Sequence, residues 1–325
     1  MTLTPLIVCP TRTSIELALT LAGGMPHARF GLCTEYMPKK YKKPFRNAGN
    51  IHLYDNEGVA VSNLYRHSHV ITFGYSEAEP HRLSKRLAEA AAQRSTPLID
   101  IQHGLLQEGY TLDHDDYRPR IAPDQLCSWD QYGILIPQDN QQNRRIGNKI
   151  GVTSNLHWKR YSDQERILFI QSVREICRSF PEYLVFWRPH PGEYKYDEKI
   201  GSIFHSPHLV EKNLRILSFN DVDRSTITDF LSGMTVLFTA PSTTIVDAQR
   251  IDLPTIVFNA GPFDLTTIGV INTARTPDQV AKAISYAMAS PSAFVPKLRM
   301  FKPFDFSSFE AYLNDSMSRQ PLIQA

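Results

Sequence analysis

Arg188, His190 and Glu193 set a guanidinium, an imidazole and a carboxylate close together in the run Phe186-Trp-Arg-Pro-His-Pro-Gly-Glu193. Arg188 and His190 can neutralise an anion such as a phosphate. An imidazolium at His190 could also hand a proton to a departing phosphate, and Glu193 could meet a ribose or sugar hydroxyl. Further along, Thr239-Ala-Pro-Ser-Thr-Thr-Ile-Val-Asp247 brings the hydroxyls of Ser242, Thr243 and Thr244 to a helix start, where free amides and hydroxyls attract negative charge. Asp247 follows Thr243 by about one helical turn; it could bind ribose hydroxyls, or serve as a cap or as a partner of Arg250. Asn155, His157 and Trp158 could stack on or hydrogen-bond a base. In the first half, Gln102-His103-Gly104 ends an apolar run; His103 could bind an acceptor or take the proton of its hydroxyl, or be a satisfied core histidine. Glu108, Asp113, Asp115 and Asp116 follow on the same stretch, and one of them, Glu108 or Asp116 foremost, is the expected base or nucleophile. The spacing of Asp113-His-Asp-Asp116 is not specific for a metal, and none is expected.

These residues depend on the strands that end beside them. Tyr183 to Trp187 reads as a buried strand from its β-branched and aromatic content. Pro189 and Pro191 are expected to hold the backbone on either side of His190 and to keep the turn from becoming a helix. Strand-like runs at 5–9, 29–33, 70–73, 97–101 and 125–129 alternate with helical runs at 14–22 and 77–94. The pattern restarts after the polar stretch Pro137 to Arg145, with strands at 149–153, 183–187, 215–219, 235–239 and 255–258 and helices at 162–179, 242–250 and 277–289. Alternation of this kind predicts parallel sheets covered on both faces. The expected fold class is α/β, with two doubly wound Rossmann-like domains facing a central cleft. The expected domains are residues 1–146 and 147–295, with 296–325 packing back across them. In such sheets ligands bind outside the carboxyl ends of the strands, which is where Gln102 to Gly104, Arg188 to Glu193 and Ser242 to Thr244 all fall.

A chain of 325 residues exceeds one ordinary core. With 42% hydrophobic and 21% charged residues it is a globular sequence, and a net charge of +2 argues against a dedicated nucleic-acid binder. Cys9, Cys33, Cys127 and Cys177 lack CxxC spacing, which fits reduced thiols. No run approaches the ~20 apolar residues of a membrane span, and no signal peptide is recognisable, so a cytoplasmic location is expected. Pro38-Lys-Lys-Tyr-Lys-Lys-Pro-Phe-Arg46 is the local exception. Its Lys39 to Arg46 cluster could rest on anionic lipid at the inner face of a membrane, or be a solvated loop.

Three segments taken in order, Ile101-Gln-His-Gly104, Trp187-Arg-Pro-His-Pro191 and Ala240-Pro-Ser-Thr-Thr-Ile-Val-Asp-Ala248 leading to Leu253-Pro-Thr-Ile-Val257, resemble bacterial surface-polysaccharide glycosyltransferases of the GT-B fold. The pattern is similar to the sialyltransferases, Kdo transferases and CDP-glycerol polyol-phosphate transferases that use cytidine-linked donors. The resemblance implies that His190, Ser242 and Thr243 hold the donor phosphates, with Arg188, Glu193, Thr244 and Asp247 nearby. It implies that Gln102, His103 and Gly104 lie on the acceptor side. It further implies transfer of a sugar, Kdo or a sialic-acid-like sugar, from a CMP-linked donor to a glycan or glycolipid of a capsule or lipopolysaccharide, with no cofactor beyond that donor and no metal. A CDP-polyol phosphotransferase, a sugar-nucleotide epimerase and a non-catalytic glycan-binding protein are the alternatives.

Overall fold

The structure is a computed structural model and describes residues 2–34, 49–54, 56–75, 81–105, 121–136, 147–158, 160–195, 198–204, 211–259, 265–266, 269–299 and 302–318. The chain divides into two compact units, Met1–Gln138 with Lys302–Ala325, and Asp139–Phe301.

The first unit holds six parallel strands, β1 (Leu6–Cys9), β2 (Phe30–Thr34), β3 (Ile51–Tyr54), β4 (Val70–Thr72), β5 (Leu98–Ile101) and β6 (Gln125–Cys127), in the order β3-β2-β1-β4-β5-β6. Its central strands are largely apolar because both faces are covered. Along β1, Leu6 and Val8 pack on one face with Leu83 and Leu87 of the Arg82–Gln93 helix. Ile7 and Cys9 pack on the other face with Leu17 and Leu21 of the Arg12–Gly24 helix. All four cysteines are free and buried.

The second unit repeats the design with β7 (Lys149–Thr153), β8 (Leu184–Arg188), β9 (Leu214–Ile216), β10 (Val236–Thr239), β11 (Thr255–Phe258) and β12 (Thr273–Ala274), in the order β12-β11-β10-β7-β8-β9. Phe169 from the Asp163–Ser179 helix centres one face, its ring 5.0 Å from Phe238, 5.3 Å from Phe258 and 5.8 Å from Trp187. Phe186, Leu237, Met234 and Leu253 fill the other face.

The C-terminal segment serves both units in turn. The Leu298 N–H donates to Gln249 Oε1 at 2.8 Å in the second unit. Past residue 301, the Phe306–Ser318 helix sets Phe309 and Leu313 into the core of the first. Gly133 makes that return feasible: its φ is +79°, and a Cβ there would lie 2.2 Å from the Pro303 carbonyl oxygen.

Candidate functional site

In the second unit the first strand, β7, lies between β10 and β8. The chain therefore winds outward in both directions from β7, and the crevice between β7 and β10 is the topological switch point of the sheet. Register brings Thr153, Arg188 and Thr239 side by side at the carboxyl ends. Backbone bonds then tie the outgoing loops together. The Ala240 N–H donates to the Thr153 carbonyl at 3.0 Å, and the His190 N–H to the Ser154 carbonyl at 3.1 Å. Asn155 Nδ2 donates to the Pro241 carbonyl across the switch point at 2.8 Å. That bond orients the Asn155 amide; its Oδ1 is buried with no protein partner among the described residues.

The His-Pro turn differs from the sequence expectation. A short helix, Pro191–Lys195, begins within it. Proline lacks an N–H that the first helical position would not use, and its φ suits a helix there. His190 acts as the cap: the Gly192 N–H donates to its Nδ1 at 2.9 Å, while Glu193 reaches back to accept the His190 N–H at 2.6 Å. Glu193 is wholly buried and also accepts from Ser154 Oγ and the Leu156 N–H, each at 2.8 Å. This corrects its expected contact with a sugar hydroxyl. Glu193 is the brace that fastens the end of β7 to the end of β8.

His190 stacks on His157, the ring centroids 4.6 Å apart and the planes 16° from parallel. Although part of His190 is open to solvent, the protein massed around it pushes its pKa down to about 4, desolvation first and the Arg188 charge second. His157 is pushed down to about 3 by desolvation, then by His190 and Arg166. Both shifts favour the neutral form of the two imidazoles. His190 Nδ1 accepts a hydrogen bond, so the single ring proton sits on Nε2 and leaves a donor there. Arg166 holds the loop carrying His157 through the Leu156 and Trp158 carbonyls at 2.8 and 3.1 Å.

Arg188 turns its guanidinium onto Ser225 Oγ (2.6 Å) and the carbonyls of Val222 and Ser225 (3.0 Å each), at the end of the Phe219–Arg224 helix. Its charge bears on His190 from there. Ser242, Thr243 and Thr244 are half-buried at the start of the Thr244–Arg250 helix, where Thr243 is the N-cap and Ser242 Oγ accepts the Thr244 N–H at 3.3 Å. Asp247 lies 4.0 Å from Arg250, the alternative weighed for it from sequence.

In the first unit, Gln102 is buried and spent on structure. Its Oε1 accepts the Trp129 N–H at 3.0 Å, its Nε2 donates to the Gly104 carbonyl at 2.9 Å, and its own carbonyl accepts Trp129 Nε1 at 2.8 Å. This corrects its expected contact with an acceptor: it positions His103 and Gly104. His103 is half-buried at the end of β5, and His81 lies near enough that desolvation first and His103 second push its pKa down to about 4. Asp100, on β5 itself, accepts Thr72 Oγ1 (2.7 Å) and the N–H groups of Gly74 and Tyr75 (2.9 and 3.2 Å), fixing the loop after β4. The sequence pattern missed His81 and Asp100; a lone Asp inside an apolar strand was the one available signal for the latter. Glu108, Asp116 and the Lys39 to Arg46 cluster lie outside the described residues. No helix among the described residues is long and apolar enough to cross a membrane.

No protein-family model and no curated protein matches the chain by sequence. Solved structures do resemble it. A UDP co-structure of S. aureus MnaA aligns with a TM-score of 0.61 over 99% of each chain at 9% identity. The UDP-GlcNAc 2-epimerase of Methanocaldococcus jannaschii, in complex with UDP-GlcNAc and UDP, gives 0.60 over 97% of this chain and 100% of its own at 10% identity. The glycosyltransferase VinC in complex with dTDP gives 0.50 over 98% and 100% at 11% identity. The fold is of the GT-B type. At these identities the likeness is one of architecture: two doubly wound α/β units built from parallel six-stranded sheets.

Proposed function

We propose that the chain is a nucleotide-sugar-dependent glycosyltransferase whose second unit binds the donor at the carboxyl ends of β7, β8 and β10. The observation that carries this reading is the set of groups at the switch point: the Nε2–H of His190, the hydroxyls of Ser242 and Thr243, and the oriented, unpartnered Oδ1 of Asn155. Donors and an acceptor so placed suit a phosphate flanked by ribose or sugar hydroxyls. With no metal invoked, hydrogen bonds and the nearby Arg188 charge stabilise the leaving phosphate. His103 takes the acceptor side, with Glu108 or Asp116 as the carboxylate of the reaction.

The sequence motifs favour a CMP-linked Kdo or sialic-acid-like donor and a surface polysaccharide or lipopolysaccharide acceptor. The similar structures, in complex with UDP, UDP-GlcNAc and dTDP, favour a pyrimidine nucleotide more broadly. Likeness to the M. jannaschii epimerase gives the second reading, a sugar-nucleotide epimerase. Turnover separates them. Incubated with CMP-N-acetylneuraminate, CMP-Kdo or UDP-GlcNAc, a transferase releases nucleotide in step with an added glycan acceptor. An epimerase alters the donor with no acceptor present. No binding and no turnover of any of them would sink both readings.

A further inference from the structure

We propose that Gly192 and His157 are positioning residues that lock His190 as a neutral imidazole with its proton on Nε2, so that it grips the ligand's phosphate as an uncharged hydrogen-bond donor and surrenders no proton to the leaving group. The inference rests on the donor-site reading above and sharpens its chemistry.

The geometry points to this from three sides. The Gly192 N–H donates to His190 Nδ1, so a second proton would have to displace that bond and face an N–H dipole. His157 covers one face of the ring in a near-parallel stack, which takes water from that face and so weakens the solvation of an imidazolium. Gly192 is what lets His157 lie there: a Cβ on it would fall 2.6 Å from His157 Nε2 and 2.8 Å from Cδ2. The charged and titratable groups around the pair are Arg188 on β8, Arg166 on the Asp163–Ser179 helix, Glu193 on the short helix, and Tyr161. Both arginines oppose a further positive charge. The Glu193 carboxylate is taken up by Ser154 and the N–H groups of Leu156 and His190. A neutral imidazole can still donate a full hydrogen bond to an oxyanion, as preorganised donors do elsewhere in catalysis.

The test combines a spectroscopic and a binding arm. Two-bond proton–nitrogen correlation spectra of the nitrogen-labelled protein, with His190 assigned through His190→Gln, should show the Nε2–H tautomer, unchanged from about pH 8 to about pH 5.5. Affinity for the nucleotide sugar that binds, CMP-N-acetylneuraminate or UDP-GlcNAc, should be flat over the same range, because phosphates esterified on both sides do not titrate there. Gly192→Ala should push His157 aside and make the His190 resonances titrate within that range; a mere packing role would lower stability and leave them fixed. If that variant does not fold, His157→Ala provides the same readout, and His157→Phe should preserve the lock. A wild-type His190 that carries its proton on Nδ1, or that titrates above about pH 6, overturns the lock and leaves the donor site standing. A locked His190 in a protein that binds neither nucleotide sugar overturns the donor site instead, and with it the phosphate role.

Discussion

Glu193 shows how one buried side chain can position others without touching a ligand. It gathers three donors from two strand ends, and Glu193→Ala leaves Ser154 Oγ and the Leu156 N–H without this acceptor, while the His190 N–H keeps the Ser154 carbonyl. Each orphaned donor costs roughly 1–3 kcal/mol, so the variant is expected to lose about 2 kcal/mol or more in urea unfolding. Glu193→Gln, which retains one acceptor oxygen, should lose less. At His190, replacement by Gln removes a hydrogen bond to a charged group, worth about 1.5–3 kcal/mol, or roughly a tenfold to hundredfold loss of nucleotide affinity by titration. Ser242→Ala should lose less than His190→Gln. The sequence shows these residues more clearly than it shows their tasks. His-Pro-Gly-Glu carries a helix-start signature, Pro at the first helical position and Glu at the third; the two prolines point away from it only when a helix is sought across the turn. Whether a carboxylate faces a ligand or the interior is decided by contacts from distant strands. Hence Glu193 and Gln102 read as binding residues in sequence and are braces in the fold.

At the scale of elements, most strands and helices announce themselves because both sheets are covered on both faces, which makes their strands short unbroken apolar runs. The Thr276-Pro277 start and the Ser162 cap are legible for the same local reason: a hydroxyl that accepts a free amide. The edge strand β3 (Ile51–Tyr54) is not legible, since the exposed His52 breaks its short apolar run. The helix Glu57–Ser62 after it is too short for periodicity to show. The return of the C-terminal segment is hidden for a different reason: it depends on a positive φ at Gly133 and a carbonyl 2.2 Å from where a Cβ would be. Gly133→Ala should therefore be among the severe single changes, above about 3 kcal/mol. Its effect should appear as loss of protection of the Phe306–Ser318 helix in hydrogen exchange. A variant that leaves that helix protected would show that Gly133 is not what docks it.

Across the whole molecule, histidines with depressed pKa values recur in both units. His69 is wholly buried between Ser68 and Ser316, its pKa pushed down to about 4 mainly by desolvation, and His81, His157 and His190 are depressed as well. A histidine whose folded pKa lies below its unfolded value takes up its proton more readily when unfolded. Its stabilising effect is present above about pH 6.5 and is lost as pH falls toward the folded value. Urea midpoints are therefore expected to fall steadily from about pH 6.5 to about pH 4. Midpoints that held constant over that window would show that these histidines are not neutral in the fold. The functional claim turns on the second unit. The most direct test is the melting temperature of the purified protein, wild type and His190→Gln, against CMP, CDP, UDP, dTDP and ADP. A ligand of the native state raises the melting temperature with the logarithm of its concentration over its Kd. The account predicts a rise with one or more of the pyrimidine nucleotides, weakened in His190→Gln. A flat response to every nucleotide, or a rise that His190→Gln leaves untouched, would contradict it.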